Sequence, residues 1–439
     1  MTSPAETAAP RTRALNELSA TEIARRIAAG EITAEQVVGA CLDRIAAREP
    51  LVHAFANVDA ELALRQARAL DRGPNRGALH GVPIGIKDVI DTADLPTEMG
   101  SPIYRGYRPA CDAASVALLR AAGAVILGKT VTCEFAGMTA GPTTNPHHGA
   151  HTPGGSSSGS GAAVADFMVA SALGTQTGGS VLRPAAYCGV IGYKPTFGAF
   201  NRAGLKFAAE SLDTIGLMAR TLDDIVLVTS VLIGRNPDAS VAAATAPRIG
   251  LCRTPLWDTA QAETKHAVED AAARLSAAGA AMRDVTLPAE FAGLKTAARE
   301  TINNYERSKS MAAEWASHRD LISPKLTRCI KLGMEMPYAD YLAAIELGEA
   351  CRARVPAVFE GFDILLAPCV QGEAPLGLET TGDPGFQAIW TILHVPTMSL
   401  PTHRGPNGLP VGVQLVARRH DDARLFACAR WVGEKLLVS

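Results

Sequence analysis

The chain of 439 residues lacks the features that mark several large classes of protein. It has no run of lysine and arginine, and its 42 basic and 44 acidic residues give a net charge of −2, which argues against a surface for nucleic acids or anionic membranes. Its nine cysteines are scattered without a Cys-x-x-Cys spacing, which indicates reduced thiols rather than a disulfide framework. We therefore expect a small, roughly neutral molecule as the binding partner, no nucleic acid and no membrane.

Targeting and membrane-spanning segments are also missing. The first twenty residues lack the apolar core of a signal peptide, and no apolar run is long enough to cross a bilayer, so we expect a cytoplasmic protein. Residues 1–14 show no periodicity and are predicted to be a disordered tail. The remainder, residues 15–439, contains no obvious linker and is predicted to form a single domain.

Predicted helices and strands alternate along most of the chain. Capping residues Ser19 and Thr33 predict two early helices, the second ending at Pro50. Residues 248–287 have a strand, helix, strand rhythm, and residues of about 289–360 are predicted to be a mostly helical insertion that acts as a lid or an interface. This alternation places the fold in the α/β class.

Lys87 lies inside the apolar stretch Val82–Val89, which is predicted to be a strand. An ammonium group is costly in such a setting unless it is paired or deprotonated. In the ordinary interpretation, Lys87 reaches solvent or pairs with Asp88. In the functional one, it is a buried base.

Gly123, Gly128, Lys129 and Thr130 match the order of a Walker A phosphate loop. The four residues between the glycines predict a strand, whereas a phosphate loop needs exposed backbone amides there. We therefore predict helix, turn and strand, and nucleotide binding remains only an alternative.

Three histidines, His147, His148 and His151, lie in a loop rich in glycine and proline. Zinc binding is conceivable for such a cluster. No acidic or cysteine ligand lies at a helpful spacing, so we expect solvated side chains and no metal.

The stretch of residues 152–196 contains two glycine-serine loops, with Ser156 in the first and Ser180 in the second. The apolar residues between the loops fall at helical spacing while the facing positions are small, which predicts a helix packed against close neighbours. These positions are Val164, Phe167, Met168 and Ser171.

Three chemistries fit these serines. Gly155, Ser157 and Gly159 satisfy the Gly-x-Ser-x-Gly nucleophile elbow, but no strand precedes them as the elbow requires. Both loops could instead hold an anion with backbone amides and perform no covalent chemistry. In the third chemistry a desolvated, neutral Lys87 activates a serine.

Several longer motifs decide among these alternatives by resemblance. The chain resembles the amidase signature family from about Leu15 to its end, and the likeness is weakest between about residues 240 and 355. The motifs are GVPIGIKDVID, PGGSSSGSGAAVA, GTQTGGSVLRPAAYCGVIGYKPT, SLDTIGLMART, FDILLAPC and GLPVGVQLV. The resemblance implies a central mixed β-sheet surrounded by α-helices.

The resemblance also implies a Ser-cisSer-Lys triad. Carried over by position, Ser180 is the nucleophile, Ser156 is the serine after a cis peptide bond, and Lys87 is the base behind it. The amides of Thr177, Gly178, Gly179 and Ser180 would form the oxyanion hole. Cys188 follows closely, and the family keeps a cysteine there, so we expect a structural role for it.

The chain departs from the commonest family pattern at two places close to the nucleophile. Gln176 stands where an aspartate is usual, and Leu182-Arg183 replaces an arginine-first order. Neither departure touches the triad. Both put in doubt any ion pair behind the oxyanion loop that is assigned by analogy.

We expect an amidohydrolase that cleaves a C–N bond of a small, largely neutral amide, with an aryl amide or a carbamate as candidates. The alternative is the glutaminase-type subunit of a tRNA-dependent amidotransferase. No cofactor is expected, and a homodimer is considered as an assembly. Five residues are expected to line an apolar acyl pocket: Phe135, Met138, Trp390, Ile392 and Leu393.

Overall fold

An eleven-stranded β-sheet runs through the computed structural model, which describes residues 13–235 and 246–437. The strands are β1 (Phe55–Asn57), β2 (Pro83–Lys87), β3 (Val125–Thr130), β4 (Ser171–Gln176), β5 (Ile191–Lys194), β6 (Thr214–Ala219), β7 (Arg248–Leu251), β8 (Ala281–Asp284), β9 (Ile364–Pro368), β10 (Thr397–Arg404) and β11 (Pro410–Val416). Their order in the sheet is β1-β3-β2-β4-β6-β5-β10-β11-β9-β7-β8.

Helices pack around this sheet. They are α1 (Ala20–Ala28), α2 (Ala34–Val52), α3 (Ala60–Arg72), α4 (Ala114–Ala121), α5 (Ser158–Ala165), α6 (Leu182–Cys188), α7 (Leu222–Ile233), α8 (Ala262–Ala277), α9 (Thr301–Ser310), α10 (Ala312–Ser317), α11 (Pro324–Glu335), α12 (Tyr338–Val358), α13 (Gly385–Ile392) and α14 (Asp422–Leu436). A π-helical stretch, Leu294–Glu300, precedes α9. No helix of the described residues combines the length and apolarity needed to cross a bilayer.

Local sequence signals produce many of these elements as predicted. The Ser19 hydroxyl accepts a hydrogen bond from the backbone of Glu22 and starts α1, and Thr33 starts α2 with a full capping box. Helix α2 continues to Val52, two residues past the predicted end at Pro50. The predicted strand, helix, strand rhythm of residues 248–287 is β7, α8 and β8, and the two strands pair in parallel.

The sheet is mixed, as expected for the fold class. Strand β2 lies between β3 and β4 and is parallel to both, whereas β4 pairs with β6 in antiparallel register. Ile86 stands opposite Leu173, so the carboxyl ends of β2 and β4 meet at one edge of the sheet. Lys87 ends β2, and the turn 177–180 follows β4 directly, so this edge brings them together.

The connection between the two serine loops differs from the predicted single helix. Helix α5 ends at Ala165, Phe167 adopts a left-handed φ of 58°, and Ser171 begins strand β4. A short strand whose residues are all buried shows no alternation of buried and exposed positions, so its sequence does not distinguish it from a buried helix. The predicted close packing is present, because a Cβ on Gly161 would lie 3.0 Å from the Cβ of Pro184.

The segment 289–360 is helical for most of its length and includes the π-helical stretch and α9 to α12. Most of the predicted tail, residues 1–12, and residues 236–245 of the connection before β7 lie outside the described residues. The single-domain organisation of residues 15–439 stays a prediction.

Candidate active site

Lys87 is fully buried at the end of β2. Its Nζ donates hydrogen bonds to Ser156 Oγ and to Thr175 Oγ1, both at 2.7 Å. Burial lowers the pKa of Lys87 from 10.5 to about 7, because the charged ammonium form loses its hydration. Lys87 is therefore suited to act as a neutral base near pH 7.

The ordinary interpretation of Lys87, exposure or pairing with Asp88, is wrong. Asp88 pairs with Lys129, whose Nζ lies 3.1 Å from Asp88 Oδ1 and donates to Thr97 Oγ1 at 2.6 Å. Lys129 belongs to the sequence that matched a phosphate loop, and residues 125–130 form the predicted strand β3. Because the strand pairs its backbone with β2, no cradle of free amides exists there.

The first serine loop places Ser156 beside Lys87. The loop turns at Gly154 and Gly155, whose φ values are 83° and 61°, a region that only glycine enters without steric cost. All peptide bonds of the described residues are trans. The cis peptide bond expected before Ser156 is therefore absent, and two consecutive glycines with positive φ make the turn instead.

The second loop follows β4 and presents a row of free amides. None of the backbone N–H groups of Thr177, Gly178, Gly179 and Ser180 donates a hydrogen bond to another described residue. Buried backbone amides are nearly always paired in folded proteins. Four consecutive free amides, three of them on buried residues, are therefore available to an oxygen atom of a bound molecule.

Gln176 closes this turn from behind. Its Oε1 accepts hydrogen bonds from the backbone N–H of Val181 at 3.0 Å and of Leu182 at 3.1 Å, and its Nε2 donates to Thr391 Oγ1 at 3.0 Å. Thr391 in turn donates to the carbonyl of Gly178 at 2.7 Å. A neutral amide side chain thus supports the turn without an ion pair.

Ser157, the serine of the nucleophile-elbow pattern, is fully buried. Its hydroxyl donates to the carbonyl of Thr175 at 3.2 Å and accepts from the N–H of the same residue at 3.1 Å. Both bonds join the first loop to strand β4. Ser157 is therefore a structural bridge and is not accessible as a nucleophile.

Ser180 is partly exposed and opens into a cavity of about 500 Å³ together with Thr177, Gly178 and Gly179. The two serine loops touch, because a Cβ on Gly155 would lie 3.1 Å from the Cα of Ser180. Within the described residues, Lys87 is hydrogen-bonded to Ser156, but no hydrogen bond joins Ser156 to Ser180. The two loops therefore bring the three predicted residues together, with only the first link formed.

The five residues predicted to form an apolar acyl pocket do not lie together on this cavity. Met138 lines the cavity and is 62% exposed, but the four others are buried and do not line it. Trp390, Ile392 and Leu393 belong to a core cluster under α13, and Phe135 belongs to the large core beside β2. Apolar residues in these positions fill the interior, which sequence alone does not distinguish from a pocket wall.

Charged residues line the cavity instead, and apart from Arg183, which lies in one of the longer motifs, no sequence motif marks them. Most of them come from the helical segment 289–360 and from the loop 380–384. They are Arg183, Lys295, Arg299, Glu300, Arg307, Lys325 and Asp383. A charged residue without a motif gives no signal in one sequence, so only the fold reveals this set.

The histidine cluster has structural contacts. The His147 ring nitrogen Nε2 lies 2.8 Å from the carbonyl of Cys188, and His151 Nδ1 lies 2.7 Å from that of Ala374. Cys188 is buried, and burial raises the pKa of its thiol, which fits the expected structural role. Among the described residues, no three His, Cys, Asp or Glu side chains are arranged to hold a metal ion.

Known proteins are similar to this chain in sequence and in fold. A sequence model of the family described as Amidase matches residues 36–426. A glutamyl-tRNA(Gln) amidotransferase subunit of Acidothermus cellulolyticus is 37% identical to the chain over 468 aligned residues, covering 93% of this chain and 92% of the relative.

Solved structures agree with the sequence comparison. One described as an amidase has a TM-score of 0.88 at 29% identity, covering 95% of this chain and 100% of that one. The native peptide amidase of Stenotrophomonas maltophilia has a TM-score of 0.82 at 29% identity, covering 96% and 97% of the two chains. Sequence and structure together confirm the resemblance, and the chain belongs to the amidase family.

Proposed function

We propose that the chain is a serine amidohydrolase that cleaves the C–N bond of a small amide through an acyl-enzyme on Ser180. In this proposal Lys87 is the base and Ser156 relays the proton. The observation that carries it is the fully buried Lys87, which has a pKa of about 7 and a 2.7 Å hydrogen bond to Ser156. Among the described residues no carboxylate forms an ion pair with Lys87, so a salt bridge does not account for its burial.

The proposed reaction has two stages. Neutral Lys87 accepts a proton from Ser156 as Ser156 accepts one from Ser180, and Ser180 Oγ attacks the amide carbonyl carbon. The free amides of the turn 177–180 stabilise the negative charge that develops on the carbonyl oxygen. The relay then returns the proton to the leaving nitrogen as the C–N bond breaks, and water hydrolyses the resulting ester to release the acid.

The test compares three variants with the wild type. We expect Ser180→Ala to abolish turnover and labelling by a fluorophosphonate, because the acyl-enzyme cannot form. Ser156→Ala and Lys87→Ala should lose most activity while remaining folded by circular dichroism. Labelling that persists in Ser180→Ala and maps to another serine would contradict the proposed nucleophile.

A second form of this function is the glutaminase-type subunit of a tRNA-dependent amidotransferase. The observation that favours it is the sequence similarity to amidotransferase subunits. Those of Acidothermus cellulolyticus and Anaeromyxobacter sp. align with this chain at 37% and 35% identity, over more than 90% of both chains in each case. The sequence comparison thus favours this form over a free-standing amidase. Both forms use the same hydrolytic step, and they differ in the need for partner subunits.

Purified protein alone, assayed on aryl amides, aryl carbamates and glutamine, separates the two forms. Hydrolysis of several amides by the isolated chain supports a free-standing enzyme. Activity only on glutamine, and only after addition of partner subunits, supports the role in an amidotransferase complex and rejects the free-standing enzyme.

A further inference from the structure

Asp213 is a buried carboxylate that lies beside the first residue of the turn of free amides. It is 3% exposed and directly precedes strand β6. Gln176, the last residue of β4, stands opposite Thr214, the first residue of β6, so the antiparallel register brings Thr177 next to Asp213. The turn 177–180 and Asp213 therefore lie at the same end of this strand pair.

Both oxygens of the Asp213 carboxylate accept hydrogen bonds. The hydroxyl of Thr177 donates to Oδ1. The backbone N–H groups of Ala208 and Ala209 donate to Oδ2, at 2.6 and 3.1 Å. A carboxylate whose two oxygens act only as acceptors is in the ionised form. Because burying such a charge is costly, packing alone does not explain a carboxylate at this position.

The three hydrogen bonds have different consequences. The two bonds to Oδ2 come from residues 208 and 209 and close a loop local to Asp213. The bond to Oδ1 joins this loop to Thr177, where the row of free amides begins. Gln176 holds the other end of the turn through the N–H groups of Val181 and Leu182. Side chains therefore fix the turn at both of its ends.

Arg307 offsets the charge of Asp213. It is 3% exposed, belongs to helix α9 of the segment 289–360 and lines the cavity. Burial raises the pKa of Asp213, and the hydrogen bonds and the attraction of Arg307 oppose this rise. An anion without this balance would repel the negative charge that develops on the carbonyl oxygen during attack. The helical segment thus contributes a charge that the turn needs.

We propose that Asp213 is a positioning residue, whose carboxylate holds the side chain of Thr177 and thereby directs the first free amide of the turn at the carbonyl oxygen of the substrate, while Arg307 offsets its charge. The inference rests on the proposed hydrolysis at Ser180. Asp213 contacts no reacting atom and acts only through Thr177 and through its charge.

The charges of Asp213 and Arg307 also act on Lys87. The charged and titratable groups that face the Lys87 ammonium are Cys133, Asp213 and Arg307. Burial has the largest effect and lowers the pKa of Lys87, attraction to Cys133 and Asp213 raises it, and repulsion from Arg307 lowers it. Removal of the Asp213 charge should therefore lower this pKa further, and removal of the Arg307 charge should raise it.

The first experiment measures the rate at which a fluorophosphonate labels Ser180, together with kcat and KM on aryl amides, aryl carbamates and glutamine. We expect Asp213→Asn and Thr177→Val to lower the labelling rate and kcat about 10- to 100-fold, because a displaced amide stabilises the oxyanion less well. KM should change little, since the lost interaction belongs to the transition state. Thr177→Ser keeps the hydroxyl and should recover most of the wild-type rate.

The matched control is Asp224→Asn. Asp224 is also fully buried and accepts hydrogen bonds from the N–H and the hydroxyl of Thr21, at 2.9 and 3.0 Å. It joins helix α7 to helix α1 and is not among the residues that line the cavity. Asp224→Asn should lose stability in urea unfolding but keep the labelling rate and the kcat of the wild type.

The second experiment follows the labelling rate of Ser180 against pH. The midpoint of the rise in rate should move to lower pH in Asp213→Asn and to higher pH in Arg307→Met, because the two variants remove charges of opposite sign near Lys87. A merely structural role of Asp213 would lower the rate without moving the midpoint. Thr177→Val leaves the carboxylate in place, so it keeps the test valid if Asp213→Asn does not fold.

The positioning role and the hydrolase fail in different ways. Wild-type rates with an unchanged midpoint in folded Asp213→Asn would overturn the positioning role, as would a crystal structure of this variant in which the turn 177–180 keeps its path. Labelling of Ser180 that depends on Asp213, with no hydrolysis of any of the amides, would support the positioning role and overturn the amide hydrolysis. Labelling of a different serine would overturn the proposed nucleophile, and the crystal structure of Asp213→Asn would then decide on Asp213.

Discussion

Replacing Lys87 with methionine should change the pH dependence of stability in a predictable direction. Because burial lowers the pKa of Lys87 from 10.5 to about 7, the native state binds fewer protons than the unfolded state between these two values. The free energy of unfolding of the wild type therefore rises with pH between these two pKa values, and the cost of burying Lys87 is largest below pH 7. Methionine has no proton to lose, so the variant lacks this contribution.

The size of the effect follows from the two pKa values. Burying the lysine costs about 4 kcal/mol at pH 7 and about 2 kcal/mol at pH 9. Methionine also leaves the hydroxyls of Ser156 and Thr175 without their donor, at about 1–3 kcal/mol each, but this loss does not depend on pH. The stability difference between Lys87→Met and the wild type should therefore shift by about 2 kcal/mol between pH 7 and pH 9, in favour of the wild type.

Urea unfolding at the two pH values measures this shift. The control is Lys194→Met, because Lys194 is also fully buried with a pKa lowered to about 7 but, within the part of the chain that the structure describes, donates only to the carbonyls of Pro195 and Val395. It should show a similar shift in stability. Only the protonation of Lys87 should also control catalysis. The kcat/KM of the wild type should fall about tenfold per pH unit below pH 7, because a protonated Lys87 cannot act as the base. Two results would refute the inference that Lys87 is neutral near pH 7. One is a difference in unfolding free energy between Lys87→Met and the wild type that does not change with pH. The other is a wild-type kcat/KM that reaches half its maximum only near pH 10.

Two further variants test the support of the site. Ser157→Ala should keep fluorophosphonate labelling but lose about 1–3 kcal/mol of stability in urea unfolding, because the N–H of Thr175 loses its acceptor; loss of labelling in folded protein would contradict the structural role. Gln176→Ala should lower kcat about tenfold or more with little change in KM in steady-state kinetics, because the N–H groups of Val181 and Leu182 lose the acceptor that shapes the turn. An unchanged kcat would mean that the turn holds its shape without Gln176.

The short strands show where sequence patterns stop being informative. Strand β1 has three residues and pairs with β3 across a register shift, and β5 has four residues between a helix and a loop. Neither has enough positions to show an alternation. Every residue of β4 is buried, so its sequence shows no alternation either, and the helical spacing therefore places its first residue, Ser171, in the predicted helix.

The residues of the candidate site also divide into those that sequence motifs predict and those that only the fold reveals. The longer motifs predicted Lys87, Ser156 and Ser180 as site residues, and the structure places Lys87 at the end of β2 beside the two adjoining serine loops. The predicted cis bond is absent from the described residues, and four of the five predicted pocket residues do not line the cavity. Apolar residues near a motif are mostly core, and the charged cavity lining comes from elements far away in sequence, above all the helical segment 289–360.

The sequence by itself determined the α/β class, the family and the candidate triad, because long glycine-serine motifs demand one particular backbone path and leave few alternatives. Only the tertiary structure decided that Lys87 is buried without an acidic partner among the described residues, that Gln176 closes the turn, and that the cavity is cationic. These properties depend on which distant residues meet at the carboxyl ends of β2 and β4. The burial of a side chain, the pairing of its hydrogen-bond donors and the charge around it all depend on such distant neighbours, so no local sequence pattern predicts them.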